Sequence, residues 1–260
     1  MSIFDQKVIK YEMKPLSSLE KVFPDETPVY RMECQMLSGL WGETVSFQVA
    51  YTGDFVMRER LDVRVVSELA EHVHVRTVEM VPVGRATNGI VDDNYLKTTS
   101  GLYPDLLKDL KDGKVIVYSR QWRSLWVDVD ITNEIPAGEY EIELQLIKEG
   151  EVVCSAKQKV TVIGTELPKL DIMHTEWMHA DCLADYYHVE VFSEEHWKLL
   201  ENYFQEYVKR DCNMMLTPLF TSPLDTAIGL ERTTCQLIDV EVKDGEYVFG
   251  FEKLKRWINL

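Results

Sequence analysis

The sequence lacks several signals by which whole classes of protein are recognised. Its 260 residues contain 28 Lys and Arg against 44 Asp and Glu, a formal net charge of −16. It therefore has no positive excess with which to bind nucleic acid or an anionic membrane surface. No apolar run reaches the roughly 18 residues that cross a bilayer, and residues 1–15 show neither the apolar segment nor the cleavage site of a signal peptide. We expect no nucleic-acid partner and no membrane partner.

Cysteine is scarce, and the common metal and nucleotide motifs are missing. The five cysteines are odd in number and form no CxxC pair, which predicts reduced thiols in a cytoplasmic protein. The sequence contains no HExxH, GxGxxG or P-loop pattern. His72 and His74 would share one face of a strand, but no third ligand follows at a recognisable spacing. We expect no metal and no cofactor.

Regular alternation of apolar and polar residues dominates the first 165 residues. A composition of 45% hydrophobic and 28% charged residues is that of a globular protein. Alternation with a period of two predicts strands with one face on a core, and it occurs at residues 45–51, 61–65, 125–131, 140–146 and 160–162. Turn signals such as Lys148-Glu149-Gly150 separate these runs. The pattern predicts an all-β domain over residues 1–165, an antiparallel immunoglobulin-like sandwich. We expect residues 85–111 to form a long loop with a helical turn at 104–110.

The pattern changes after a linker at residues 165–168. Residues 170–177 and 213–217 are predicted as strands on either side of a helix that begins after Ser193. A hairpin is predicted around residues 243–246, and a second helix from Glu252. Strand, helix, strand is typical of a βαβ unit. Because a closed (β/α)₈ barrel takes about 250 residues, residues 168–260 are predicted to be its first βαβ portion, an incomplete α/β segment of the TIM-barrel type.

Two long motifs resemble a known family. The first is Trp177-Met-His-Ala-Asp-Cys-Leu-Ala-Asp-Tyr-Tyr187, continued by Val191-Phe-Ser-Glu-Glu-His-Trp197. The second is Thr217-Pro-Leu-Phe-Thr-Ser-Pro-Leu-Asp-Thr226, followed by residues 229–237. Together they resemble the domain of unknown function 4091 family, which is related to glycoside hydrolase family 123. The preceding domain is similar to that family's N-terminal sandwich at residues 101–105, 124–129 and 135–140.

The resemblance implies a β-sandwich followed by a TIM-type barrel that acts on glycosides. Characterised relatives are β-N-acetylgalactosaminidases, in which an adjacent Asp-Glu pair supports attack by the substrate's own acetamido oxygen, an exception to the two-carboxylate scheme. The pair belongs to a later barrel strand, so we expect it beyond Leu260 and no catalytic residue within this chain. Glu194-Glu195 and Asp92-Asp93 do not replace it, because the first opens a helix and the second lies in the sandwich. The 260-residue chain alone is predicted to be inactive on its carbohydrate substrate.

Candidate sugar-binding residues follow the predicted barrel strands, because barrel active sites lie at the C-terminal ends of the strands. Polar side chains could hold sugar hydroxyls there, and an aromatic ring could stack on the apolar face of the sugar. The candidates are Trp177, His179, Asp181, Asp185, Asp225, Arg232 and Gln236. The alternative interpretation is that these residues only lock long loops, with Arg232 paired to Asp225.

A second function remains open. The amphipathic helix over residues 197–208 would leave an apolar face uncovered if the barrel is incomplete. The chain could then be a non-catalytic carbohydrate-binding or assembly module, a homo-oligomer that covers this face.

Overall fold

A computed structural model describes residues 10–28, 36–55, 58–87, 89, 91–169, 171–221 and 226–260. The chain divides into two compact units, Met1–Leu167 and Pro168–Leu260, called here the β unit and the C-terminal unit. Within the described residues, no helix combines the length and the apolar character needed to span a bilayer.

The β unit is built from two five-stranded sheets. The first sheet has the order β1-β3-β8-β5-β6, and the second has the order β2-β10-β9-β4-β7. The strands are β1 (Lys10–Ser17), β2 (Met36–Trp41), β3 (Thr44–Asp54), β4 (Glu59–Val66), β5 (Val73–Val83), β6 (Gly101–Asp109), β7 (Lys114–Val117), β8 (Arg123–Asp130), β9 (Gly138–Lys148) and β10 (Glu151–Glu166).

Both sheets contribute to one hydrophobic core. Phe47 of β3 and Val127 of β8 enter it from the first sheet, and Leu144 of β9 and Val160 of β10 enter it from the second. Each of these four side chains is completely buried. The alternation read at residues 140–146 is confirmed, because Ile142, Leu144 and Leu146 all lie in this core. The predicted turn is confirmed too: Glu149 and Gly150 take positive φ angles of 52° and 88°, as a two-residue hairpin between β9 and β10 requires.

The loop expected over residues 85–111 is confirmed for the described residues up to 100, which are irregular, but the helical turn expected at 104–110 is wrong. Residues 101–109 form β6, which pairs antiparallel with β5 from Gly101 to Asp109. Pro104 lacks the N–H that a strand interior needs, but β6 lies at the edge of its sheet, where proline is tolerated. The register shifts next to its partner Met80.

The sheets are also not purely antiparallel. β2 pairs in parallel with β10, with Met36 opposite Lys159 and Leu40 opposite Ile163. The alternation of apolar residues sets which face of a strand is buried and carries no information on strand direction. The sequence pattern could therefore not detect this parallel pair.

In the described residues, the C-terminal unit contains three helices and one hairpin. They are α1 (Ala180–Tyr187), α2 (Glu194–Lys209), β11 (Asp239–Lys243), β12 (Glu246–Gly250) and α3 (Glu252–Ile258). The predicted start of α2 is confirmed: the Ser193 hydroxyl accepts a hydrogen bond from the backbone N–H of His196. The hairpin is confirmed as well, with Asp244 and Gly245 at positive φ. Trp197, Leu200, Leu237 and Trp257 are buried in the core of this unit.

The strands predicted at 170–177 and 213–217 are wrong. Residues 171–179 and 212–218 are irregular, and residue 170 lies outside the described part. The side chain of Asn213 accepts from the N–H of His174 and donates to the carbonyl of Ile172, at 2.9 and 2.8 Å. The N–H groups of Asn213 and Met214 also donate to the carbonyl of His174, at 3.0 and 3.2 Å. The two segments are therefore joined by this side-chain amide and by two backbone hydrogen bonds, without a regular ladder.

Candidate functional site

A buried ion pair fixes the first turn of α1. Asp181 lies in this turn, where the helix dipole favours a negative charge. Arg232 donates from Nε to one carboxylate oxygen at 2.6 Å and from a terminal nitrogen to the other at 2.9 Å. The side chains of Arg232 and Asp181 are 12% and 9% exposed. A bidentate pair of this kind sets the orientation of both groups as well as their separation.

Residues that follow Arg232 also form hydrogen bonds with the next turn of α1 and with residues 217–221. Thr233 donates from its hydroxyl to both carboxylate oxygens of Asp185, at 2.9 and 3.1 Å. The N–H of Cys235 donates to the hydroxyl of Thr221 at 3.0 Å, and that of Leu237 to the carbonyl of Pro218 at 3.0 Å. Because Asp181 and Asp185 are four residues apart, they lie on one face of α1. Residues 232–237 are therefore held between that face and residues 217–221.

A pocket of about 140 Å³ lies in this part of the C-terminal unit. It is lined by side chains of three segments, including Trp177, His179 and Asp181 from the start of α1, Phe220 and Arg232. Trp177 and Phe220 are 67% and 54% exposed. The lining thus combines exposed aromatic rings with a fixed ion pair, the two kinds of group that hold a sugar ring and its hydroxyls.

Cys235 lies in the lining but is poorly suited to act as a nucleophile. It is buried, and its burial raises the pKa of the thiol to about 12. The thiolate is the reactive form of cysteine, so this side chain remains a protonated, inert thiol at neutral pH. Within the described residues, no three His, Cys, Asp or Glu side chains are grouped as a metal would require.

The structure brings four of the seven candidates together. Trp177, His179, Asp181 and Arg232 line the pocket. Asp185 lies beside it and accepts from Thr233, whereas Gln236 donates to the carbonyl of Ile238 and is not part of the lining. Asp225 lies outside the described residues. Arg232, which the loop-locking alternative paired with Asp225, binds Asp181.

Sequence reasoning missed His196 of α2, whose ring contacts the first residue of α1. The side chain is fully buried. Its Nδ1 accepts from the N–H of Phe192 at 2.9 Å, and its Nε2 lies 2.9 Å from the carbonyl of Ala180, the first residue of α1. A ring that accepts at Nδ1 and donates at Nε2 is neutral. The signal for this role was its spacing of four from Leu200, which places His196 on the buried stripe of α2.

The buried state of His196 predicts a pH dependence of stability. Desolvation lowers the pKa of His196 below its usual 6.5, although the hydrogen bond to Ala180 opposes this shift. The unfolded chain therefore binds a proton at a pH where the folded chain does not. We expect the free energy of unfolding to fall as the pH drops from 7.5 through 6.5 toward the lower folded-state pKa.

Urea denaturation at pH 7.5, 6.5 and 5.5 measures this slope. The matched variant His196→Gln, which cannot titrate, should show a smaller loss of stability over the same interval. Equal slopes in the two proteins would mean that other groups cause the loss.

One family model matches the part of the chain that contains this pocket. Residues 177–260 match the family model of the glycoside hydrolase 123 catalytic domain. The matched region contains all the pocket-lining residues, from Trp177 to Cys235. No curated protein matches the sequence.

One solved structure has a similar fold. The chain is similar to a family 123 glycoside hydrolase from Clostridium perfringens, studied for glycolipid glycan hydrolysis, with a TM-score of 0.68 and 14% identity. The alignment covers 96% of this chain and 44% of that one, so the chain spans less than half the length of this glycoside hydrolase 123 structure. A β-glucosidase from Listeria innocua in complex with isofagomine also aligns, over 62% of this chain and 17% of its own, at 10% identity. Its TM-score of 0.28 is too low to support an argument.

Proposed function

We propose that this chain is the N-terminal portion of a glycoside hydrolase-like protein that acts in the cytoplasm. An immunoglobulin-like sandwich would precede the opening of a (β/α)₈ barrel, with the catalytic Asp-Glu pair beyond residue 260. The observation that carries the proposal is the family match of residues 177–260, the region that forms the whole pocket.

Asp181 in the pocket lining and Asp185 beside it are both bound by neighbouring side chains, which fits a role in fixing the fold better than catalysis. Both oxygens of Asp181 accept from Arg232, and both oxygens of Asp185 accept from Thr233. A general acid or nucleophile needs an oxygen within reach of the substrate. The two carboxylates are therefore proposed to fix α1 and the loop of Arg232, while the catalytic pair comes from elsewhere in the protein.

Trp177 is proposed to be the main sugar contact. Its ring is 67% exposed next to the buried ion pair, and an aromatic face is suited to the apolar face of a sugar ring. The resemblance to β-N-acetylgalactosaminidases suggests a 2-acetamido sugar, whose acetamido oxygen would attack the anomeric carbon in the complete enzyme. In this proposal the chain supplies one wall of the sugar site.

Sugar binding and turnover test this proposal separately. We expect the purified chain to release no chromophore from chromogenic N-acetylhexosaminides. Isothermal titration calorimetry should nevertheless show saturable binding of N-acetylgalactosamine or N-acetylglucosamine, and Trp177→Ala should weaken it at least tenfold. Tyr247→Ala serves as the matched control, because Tyr247 is a comparably exposed aromatic residue of the hairpin, outside the pocket lining.

Two results would contradict the proposal. Turnover by the 260-residue chain would show that the catalytic groups are present in it. Absence of sugar binding, or equal binding by the two variants, would remove the role proposed for the pocket.

One observation favours a second candidate function, that of an assembly module. An apolar groove of about 490 Å³ lies along α2, lined among others by Val208, Met214 and Leu260. Val208 is 70% exposed and Met214 is 49% exposed. If copies of the chain cover this groove, light scattering should give an oligomeric mass, and Val208→Glu should reduce it to that of a monomer. A monomeric mass for the unaltered chain would exclude this function.

A further inference from the structure

A cleft of about 400 Å³ in the β unit is separate from the pocket described above. It is lined by residues of both sheets and lies where their edge strands β6 and β7 approach each other. We infer that this cleft binds an oxyanion: a sulfate, phosphate or carboxylate group, either as a free ion or carried on a saccharide. The inference does not depend on the proposed function of the C-terminal unit.

The charge of the lining is opposite in sign to that of the chain. Five cations line the cleft, against two carboxylates, those of Glu79 and Asp109. The cations are Arg60, Lys108, Lys111, Lys114 and Arg123. In a chain with a formal net charge of −16, a concave surface with a net positive lining is a local exception. Such a surface concentrates anions over distances up to the Debye length.

Two of these five cations already form ion pairs with carboxylates, and two lysines are available to bind an anion. Arg60 pairs with Asp112 at 2.9 Å, and Lys114 pairs with Asp62 at 3.3 Å. In the part of the chain that the structure describes, neither Lys108 nor Lys111 has a carboxylate within 4.0 Å. Both lysines are exposed, so their ammonium groups can reach an anion without loss of an existing ion pair.

Arg123 supplies a positive charge that neighbouring side chains hold in place. Its Nε is shielded from solvent and has no hydrogen-bond partner among the described residues. Its guanidinium lies over the ring of Tyr118 at 4.9 Å, and one terminal nitrogen donates to Gln121 at 3.1 Å. These two contacts hold the guanidinium in place. It therefore adds a fixed positive charge to the cleft lining, beside the two lysines.

The dimensions of the cleft are those of a small-molecule site. Pockets for small ligands commonly have volumes of about 300–1,000 Å³, and 400 Å³ leaves room beyond a single tetrahedral ion. Lysines on edge strands have another common role, since they discourage pairing of one chain with another. The experiment must therefore separate anion binding from protection of the edge.

NMR titration of the full 260-residue chain tests the inference. Sodium sulfate, galactose 6-sulfate and galactose are titrated at constant ionic strength maintained with sodium chloride. We expect saturable shifts of the Ile116 methyl group, which lines the cleft, with both anions and none with galactose. Tighter binding of galactose 6-sulfate than of sulfate would identify a saccharide-borne acid as the ligand, and equal binding would identify the free ion.

Two double variants with the same change in net charge provide the control. Lys108→Gln/Lys111→Gln should weaken anion binding at least tenfold. Lys157→Gln/Lys159→Gln, on exposed positions of β10 in the interior of the second sheet, should change it less than twofold. Circular dichroism verifies that both variants are folded.

Absence of saturable binding of either anion would overturn the inference, as would equal effects of the two double variants. Self-association of Lys108→Gln/Lys111→Gln with unchanged anion binding would overturn it as well, because the lysines would then serve only to protect the edge.

Discussion

Arg232→Met is expected to lower the free energy of unfolding of the C-terminal unit by about 3–5 kcal/mol. The substitution leaves the carboxylate of Asp181 buried without the guanidinium that binds both of its oxygens. An uncompensated buried charge is far more costly than the loss of the pair as a whole. Asp181→Leu/Arg232→Met, which removes both charges, should therefore be more stable than Arg232→Met alone.

Hydrogen exchange on peptides from residues 168–260, together with urea denaturation, measures this effect within the unit concerned. Arg210→Met is the matched control, because Arg210 is 70% exposed and lies 3.7 Å from Glu206. An exposed pair of this kind contributes about 1 kcal/mol or less. If the single variant at 232 were no less stable than the control, the ion pair would not hold the pocket together.

Leu144→Ala is expected to destabilise the β unit by about 3 kcal/mol, within the range of 2–5 kcal/mol for buried leucines. Leu144 is fully buried in the core shared by the two sheets. Truncation removes its transfer free energy and leaves a cavity that neighbouring strands, held by their hydrogen bonds, can only partly fill.

Leu106→Ala is the control for this truncation, since Leu106 lies in the same unit and is 56% exposed. Its expected effect is within about 0.5 kcal/mol of zero. The comparison uses urea denaturation and hydrogen exchange on peptides from residues 1–167. Similar losses in the two variants would mean that the shared core is not the main source of stability in this unit.

The parts of the fold that sequence predicted correctly are those with a local cause. The alternation at residues 140–146 follows from one buried face, and the start of α2 follows from Ser193 and the acidic first turn. The hairpin turn at Asp244-Gly245 follows from two residues that tolerate positive φ. Each of these features depends on residues within a few positions of one another.

The errors concern interactions between distant residues. The local sequence of β6 does not alternate regularly between apolar and polar residues, whereas its place at the sheet edge is set by pairing with β5. Residues 213–217 have the composition of a strand, but they contact residues 172–174 through the amide of Asn213 and two backbone hydrogen bonds to His174, without a regular ladder. Neither competing interaction can be recognised from the local sequence.

In the candidate site, too, individual residues were predicted, whereas contacts between distant residues were not. Residues 177, 179, 181 and 232 were predicted from their positions after the expected barrel strands, and the structure places them around one pocket. The partner of Arg232 was not identified, because Asp181 lies about fifty residues earlier in the chain. The buried His196 required knowledge of which face of α2 packs against α1.

The parallel pairing of β2 with β10 has a consequence for synthesis on the ribosome. Met36 is made roughly 120 residues before its partner Lys159, which at 5–20 residues per second is a delay of about 6–25 s. During that time the second sheet cannot be completed, and the hydrogen-bonding groups of β2 have no native partner strand. The second sheet can therefore form completely only after β10 has left the exit tunnel. A ribosome that stalls before residue 159 would present an unfinished sheet to the cell's chaperones.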